Sequence, residues 1–65
     1  MNITINGEKK EINAGNFAGL LDELQIDARK IAIERNLQLI KRTEFETTKI
    51  NEGDEIEIIN FVGGG

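Results

Sequence analysis

The sequence contains no cysteine, histidine, tryptophan, tyrosine or proline. Without cysteine, the chain can form neither a disulfide scaffold nor a metal site built from thiolates. Without histidine, it has no histidine general base and no His-dependent catalytic triad, and nearly every type of zinc site is excluded. We therefore expect a protein that is not an autonomous enzyme and that holds no metal and no cofactor of its own.

Acidic residues outnumber basic ones, with 12 Asp and Glu against 8 Lys and Arg. Because a nucleic-acid-binding protein needs a basic surface, this balance disfavours nucleic acid as a partner. Apolar runs such as Ile58-Ile59 are far too short to cross a bilayer. The first residues also lack the apolar run of a signal peptide, so we expect a cytoplasmic protein without membrane contact. The 65 residues allow one small domain.

The first residues of the chain predict a β-hairpin. Residues 2–6 alternate between polar and apolar side chains, as in a strand. Asn6-Gly7 follows, and both residue types tolerate the positive φ angles of a tight hairpin turn. Residues 8–13 would form the second strand. The charged Lys9 and Lys10 in it are typical of a strand at the edge of a sheet.

A short amphipathic helix is predicted after this hairpin. Asn16 is suited to cap its first turn, because the side-chain oxygen of asparagine accepts a hydrogen bond from a free amide of that turn. The adjacent carboxylates of Asp22 and Glu23 would lie on the solvated face, where nothing apolar is close enough to raise a pKa. Four apolar residues at helical spacing define the buried face: Phe17, Leu20, Leu21 and Leu24.

The second half of the chain reads as further strands. Residues 31–35 and 38–40 would form two strands joined by a turn at Asn36-Leu37. Residues 41–48 are irregular, with Phe45 as the single large apolar anchor. Residues 48–50 would form a brief extended piece before the next turn.

The clearest strand of the sequence is residues 55–62. It follows residues 51–54, whose residue types predict a turn and indicate no further function. If Ile56 and Ile58 face the core, then Ile59 and Phe61 face outward, because side chains alternate along a strand. Exposed apolar side chains of this kind often mark a binding site. The alternative is a twisted strand whose second half covers a small satellite core.

One helix among five strands predicts an α+β domain. A single helix covers only one face of a sheet, so we expect a mixed sheet of four to five strands wrapped over it. The predicted core consists of the helix leucines and six strand isoleucines: Ile3, Ile5, Ile31, Ile33, Ile56 and Ile58.

Three glycines, residues 63–65, follow the last strand. Because glycine has no Cβ, such a segment is thin and adopts any backbone conformation, so it could enter a narrow cleft. It would hold a terminal carboxylate on a tether of about 10 Å, at 3.3–3.6 Å per extended residue. A partner enzyme with ATP could activate that carboxylate. The alternative is a frayed terminus or an engineered scar.

The arrangement of these motifs resembles the ubiquitin-like β-grasp sulfur carriers, above all the ThiS family of thiamine biosynthesis. The similarity covers the whole chain, and it departs from the family where Ile40-Lys41-Arg42 replaces a common Val-Pro-Arg segment. The segments that carry the resemblance are Glu34-Arg35-Asn36, Arg42 with Phe45, residues 51–58, and Phe61-Val62-Gly63-Gly64-Gly65.

The resemblance implies a β-grasp domain over residues 1–62 and a flexible, reactive tail over residues 63–65. It implies that a ThiF-type enzyme uses ATP to adenylate the Gly65 carboxylate, and that a cysteine persulfide relay then supplies sulfur to form a thiocarboxylate. Thiazole synthase would take that sulfur. Gly63 and Gly64 would let the tail extend into the partners. The docking patch would consist of Ile59, Phe61 and Val62.

Two other functions remain open on the same fold. The chain could be a carrier of another pathway, either the small subunit of molybdopterin synthase or a tRNA-thiolation carrier. It could also be a β-grasp interaction module that carries no sulfur, with its docking patch or an edge strand bound to a partner. Removing Gly64 and Gly65 separates these classes, because only a carrier would lose its function.

Overall fold

The computed structural model describes residues 1–61, and within them the chain forms a five-stranded sheet and one α-helix. The 3-10 helices Ala28–Lys30 and Arg42–Glu44 lie in the connections. In chain order the main elements are β1 (Asn2–Ile5), β2 (Glu8–Glu11), α1 (Phe17–Leu24), β3 (Ile31–Arg35), β4 (Gln38–Ile40) and β5 (Glu55–Asn60).

The strand order in the sheet is β2-β1-β5-β3-β4. β1 and β5 are parallel, whereas the other three neighbouring pairs are antiparallel. The sheet is therefore mixed, and β5 occupies its centre. This confirms the predicted α+β architecture and the placement of β2 at an edge.

The first hairpin forms as its turn residues predict. Asn6 has a φ of 50° and Gly7 a φ of 83°, the left-handed conformation that a tight two-residue turn needs. β2 is two residues shorter than expected, because Glu11 already lies opposite Asn2 at the start of β1. Ile12 then turns inward, and its backbone N–H donates to the Met1 carbonyl at 2.8 Å.

The helix spans the predicted residues. The Asn16 side chain accepts a hydrogen bond from the Gly19 amide at 2.7 Å, which confirms the predicted N-cap. The helix ends at Leu24, and the capping residue Gln25 has a φ of 58°, in the left-handed region typical of helix C-termini. Phe17 is fully buried, and its ring centroid lies 6.4 Å from that of Phe45, the anchor of the irregular segment.

Two predicted strand segments are shorter than the pattern indicated. Residues 48–50 contribute one isolated bridge, between Lys49 and Asn16, although Ile50 is buried. β5 ends at Asn60, which lies opposite Ile31, the first residue of β3.

The core lies between the helix and one face of the sheet. Leu24 and Ile58 were predicted as core residues, but they are only partly buried and pack at its margin. The buried apolar residues are Ile3, Ile5, Ile12, Phe17, Leu20, Leu21, Ile31, Ile33, Phe45, Ile50 and Ile56.

Candidate functional site

Two exposed apolar side chains lie at the C-terminal end of the central strand. Ile59 is 43% exposed and Phe61 is 62% exposed, whereas Ile56 earlier in β5 is buried. The alternation predicted from the sequence thus places both side chains away from the core. The exposure of Phe61 argues against a satellite core over this end of the strand. Val62 and the three glycines that complete the predicted site lie outside the described residues.

The backbone leading into this end is held on both sides. On one side Ile59 lies opposite Ala32 of β3, and the Phe61 N–H donates to the Lys30 carbonyl at 3.1 Å. On the other side the Asn6 side chain contacts Ile58: its Oδ1 accepts from the Ile58 N–H at 2.8 Å, and its Nδ2 donates to the Ile58 carbonyl at 3.3 Å. The backbone that carries Ile59 and Phe61 is therefore held by two separate parts of the chain, residues 30–32 and Asn6.

The outward face of the sheet also carries Leu39, which the sequence analysis did not single out. Leu39 on β4 is 63% exposed and lies opposite Glu34 of β3. Glu34 in turn lies opposite Glu57 of β5, so two carboxylates of like charge are neighbours across the strands. The alternation along β4 and the sheet order could have identified Leu39, because Ile40 faces the core.

Several residues that carried the family resemblance lie around the start of β5, among them Asn36 in the β3–β4 turn. Asn36 has a φ of 50°, its N–H donates to the Glu55 carbonyl at 2.8 Å, and its side-chain Oδ1 accepts from the Glu55 N–H at 3.0 Å. These contacts join the β3–β4 turn to the start of β5. Asn36 therefore has a structural role, at the opposite end of β5 from the candidate site.

Asp54 is buried at 6% exposure, which the interpretation of residues 51–54 as simple turn chemistry missed. Its carboxylate accepts from the Asn51 N–H at 2.8 Å and lies 3.5 Å from Nη1 of Arg35. Arg35 also donates to the Lys49 carbonyl at 2.7 Å, and its guanidinium lies 5.6 Å from the centroid of the Phe17 ring. This cluster fixes the turn before β5 against the core.

Two further carboxylates, those of Glu23 and Asp27, interact with groups that are close in sequence. Glu23 is exposed as predicted, but its carboxylate also accepts hydrogen bonds from the Asn13 and Ala14 amides and so holds the segment before the helix. Hydrogen bonds from the side chain and backbone of Arg29 lower the pKa of Asp27 to about 2. Residues 1–61 contain no group of three acidic side chains placed to hold a metal ion. In the same residues no helix is long and apolar enough to cross a membrane.

A model of the ThiS family matches residues 3–65 of this sequence. The chain belongs to the ThiS family. The sulfur carrier protein ThiS of Bacillus subtilis is 31% identical over 65 residues, covering 97% of this chain and 98% of that protein. The crystal structure of ThiS from Geobacter metallireducens superposes with a TM-score of 0.85 at 32% identity, and the match covers both chains completely. The β-grasp fold and the resemblance to ThiS-type sulfur carriers are thereby confirmed.

A longer protein also contains a ThiS-like segment. The thiazole synthase of Paramagnetospirillum magneticum is 41% identical over 66 residues, which cover 100% of this chain and 20% of that protein. The chain thus spans about a fifth of the length of this relative.

Proposed function

We propose that the chain is a sulfur carrier of thiamine thiazole biosynthesis that carries sulfur on the C-terminal carboxylate of Gly65. A ThiF-type enzyme adenylates this carboxylate with ATP, and a cysteine persulfide relay supplies the sulfur. Thiazole synthase then takes the sulfur from the resulting thiocarboxylate. The carrier itself supplies a surface for docking and the reacting carboxylate, and the partners supply the catalytic groups.

The observation that carries this proposal is the extent of the family match, which runs through all three glycines to Gly65. The geometry of the described residues supports it. The end of β5 is held by β3 on one side and by the Asn6 side chain on the other, and the exposed Ile59 and Phe61 lie within a few residues of the glycine segment. A partner that contacts these two side chains is therefore within a few residues of the carboxylate.

The chemistry needs no side-chain nucleophile from this chain, because the nucleophile that the chain supplies is the carboxylate of Gly65. Adenylation joins a carboxylate oxygen of Gly65 to the α-phosphate of ATP and releases pyrophosphate. A persulfide sulfur of the donor then attacks the acyl carbon and displaces AMP. A second thiol cleaves the S–S bond, which leaves the sulfur on Gly65 as a thiocarboxylate and a disulfide on the donor. All of these thiols belong to the partners, because the carrier has no cysteine.

Thiazole synthase is favoured as the acceptor of the sulfur by the relative from Paramagnetospirillum magneticum. In that protein a segment similar to the whole of this chain lies within a protein named thiazole synthase. Two activities that share a substrate gain from such a linkage, because it raises their effective concentration. This favours the thiamine pathway over molybdopterin synthesis and tRNA thiolation.

An intact-mass measurement tests the proposal. The purified chain is incubated with ATP, Mg²⁺, the ThiF-type enzyme from the same organism and a persulfide donor. We expect its mass to rise by the difference between a sulfur and an oxygen atom, and only when ATP is present. A variant that lacks Gly64 and Gly65 serves as the control and gains nothing. If the full chain gains no mass with an active partner, the chain is not a carrier.

A further inference from the structure

We propose that Asn6 is a positioning residue that holds the end of β5 in the direction the adenylating partner requires. This inference rests on the carrier function proposed above. The sequence marks Asn6 only as the first residue of a hairpin turn, and the family match assigns it no role. Its side chain, however, contacts the central strand just before the exposed docking residues.

The first step of the argument is that β1 stops too early to support the end of β5. The two strands pair at only two register positions, Thr4 with Glu55 and Ile5 with Ile56. The last backbone hydrogen bond given by this part of the chain runs from the Asn6 N–H to the Ile56 carbonyl, at 2.9 Å. After Asn6 the chain turns back at Gly7, where φ is 83°.

The Asn6 side chain continues the pairing where the backbone has turned away. Its amide offers one acceptor and one donor, and both are used by the same residue of β5, since Oδ1 binds the Ile58 N–H and Nδ2 binds the Ile58 carbonyl. The amide thus supplies the acceptor and the donor that the backbone of a longer parallel strand would offer to Ile58. As a result β5 is paired on its β1 side for two residues beyond Ile56.

The residue type is matched to this double task. The backbone of Asn6 has a φ of 50°, which asparagine tolerates better than most residues other than glycine. Glycine would adopt the turn but has no side chain to bind Ile58. Aspartate would adopt the turn and accept from the Ile58 N–H, but an ionised carboxylate offers no donor to the Ile58 carbonyl.

The consequence for function is geometric. Ile58 lies directly before Ile59 and three residues before Phe61, so a change in the direction of β5 at Ile58 changes how these two exposed side chains are presented to the partner. In a reaction that depends on placement, a displacement of about 1 Å can cost about a hundredfold in rate. Asn6 therefore acts on the reaction through the strand it aligns, without touching the reacting atoms.

The test compares two asparagines with the same turn conformation. Asn6→Gly removes the contacts to the end of β5 and keeps the turn. Asn36→Gly is the matched control, because Asn36 has the same φ of 50° and binds the other end of β5 through Glu55. Asn6→Asp restores one of the two contacts. Each variant is assayed for pyrophosphate release under single-turnover conditions, for affinity to the ThiF-type enzyme, and for amide hydrogen exchange at Ile58.

We expect Asn6→Gly to slow adenylation about tenfold while its affinity for the partner changes less than about threefold, because placement rather than docking is lost. Exchange at Ile58 should accelerate in this variant and not in Asn36→Gly. The adenylation rate of Asn6→Asp should lie between those of Asn6→Gly and the parent chain. If Asn6→Gly does not fold, the comparison of Asn6→Asp with the parent chain is the test.

Adenylation by both Asn6 variants at the parent rate would overturn the positioning role, and so would an equal loss in Asn36→Gly. Failure of the parent chain itself to be adenylated would instead contradict the proposed carrier function, so the two failures are distinguishable.

Discussion

The guanidinium of Arg35 and the carboxylate of Asp54 form an ion pair at 3.5 Å that joins the end of β3 to the turn before β5. Both side chains are largely shielded, at 23% and 8% exposure. Each also has a hydrogen-bond partner in the backbone, the Lys49 carbonyl for Arg35 and the Asn51 N–H for Asp54, so the pair holds the segment between Lys49 and Asp54 against the sheet. Arg35 and Asp54, which lie in segments that carried the family resemblance, thus fix the start of β5 in the sheet.

Asp54→Ala should lower the free energy of unfolding by about 1–3 kcal/mol, since it leaves the Asn51 N–H without its acceptor and the Arg35 guanidinium without its counter-ion. That is a large fraction of the roughly 3–5 kcal/mol that a core of this size supplies. Urea denaturation measures the change. Arg29→Ala is the control, because Arg29 pairs with Asp27 at the surface with 81% of its side chain exposed, and the denaturation midpoint should not move. Equal midpoints for Asp54→Ala and the parent would contradict this role.

Glu57→Lys should stabilise the domain. Glu57 lies directly opposite Glu34 on adjacent antiparallel strands, and opposite charges there are favourable by about 0.2–1 kcal/mol, whereas like charges are unfavourable. We expect a small rise in the urea midpoint that disappears at high salt, where surface charges are screened. Glu57→Lys in a Glu34→Gln background is the control and should gain less. A lower midpoint for the single variant would show that another interaction dominates at this position.

The elements of the fold could be predicted because their signals are local. Asn6-Gly7 and Asn36-Leu37 both form turns with positive φ, and in the first of them the residue types alone favour that conformation. The helix was predicted from Asn16 and the leucines of its buried face, which all lie within nine residues of one another. The exposure of Ile59 and Phe61 followed from the two-residue period of a strand, which needs no knowledge of distant neighbours.

The contacts that hold β5 could not be predicted, because each joins residues far apart in sequence. Asn6 binds Ile58, and Arg35 pairs with Asp54, only after the sheet order has brought the strands together. No periodicity in a single sequence marks such a pair. Asn6 and Asp54 each also fit a local explanation as turn residues, which hides the second role of their side chains. The roles of Val62 and of the three glycines stay predictions.

Phe61→Ala should weaken recognition by the ThiF-type enzyme without unfolding the domain. Burying a phenylalanine side chain is worth about 1.5–3 kcal/mol and a factor of ten in affinity is about 1.4 kcal/mol, so KM for the carrier should rise about tenfold or more. Leu37→Ala is the matched control, because Leu37 is 91% exposed but lies at the opposite end of β5. Steady-state kinetics of the ThiF-type enzyme at varied carrier concentration give the KM of each variant. A KM for Phe61→Ala equal to that of Leu37→Ala would remove Phe61 from the docking patch.

A single alanine appended after Gly65 should abolish adenylation while docking and folding are retained. The extra residue moves the terminal carboxylate by about 3.3–3.6 Å and leaves in its place an amide carbonyl, which cannot serve as the oxygen nucleophile toward ATP. Pyrophosphate release should be undetectable, whereas calorimetry should give the parent affinity for the ThiF-type enzyme, since Ile59 and Phe61 are unchanged. Gly65→Ala is the control that separates length from bulk: it keeps the carboxylate at residue 65 and should be adenylated slowly, because an added Cβ obstructs the cleft without displacing the reacting group. Adenylation of the extended chain at the parent rate would mean that the reacting group is not the carboxylate of Gly65.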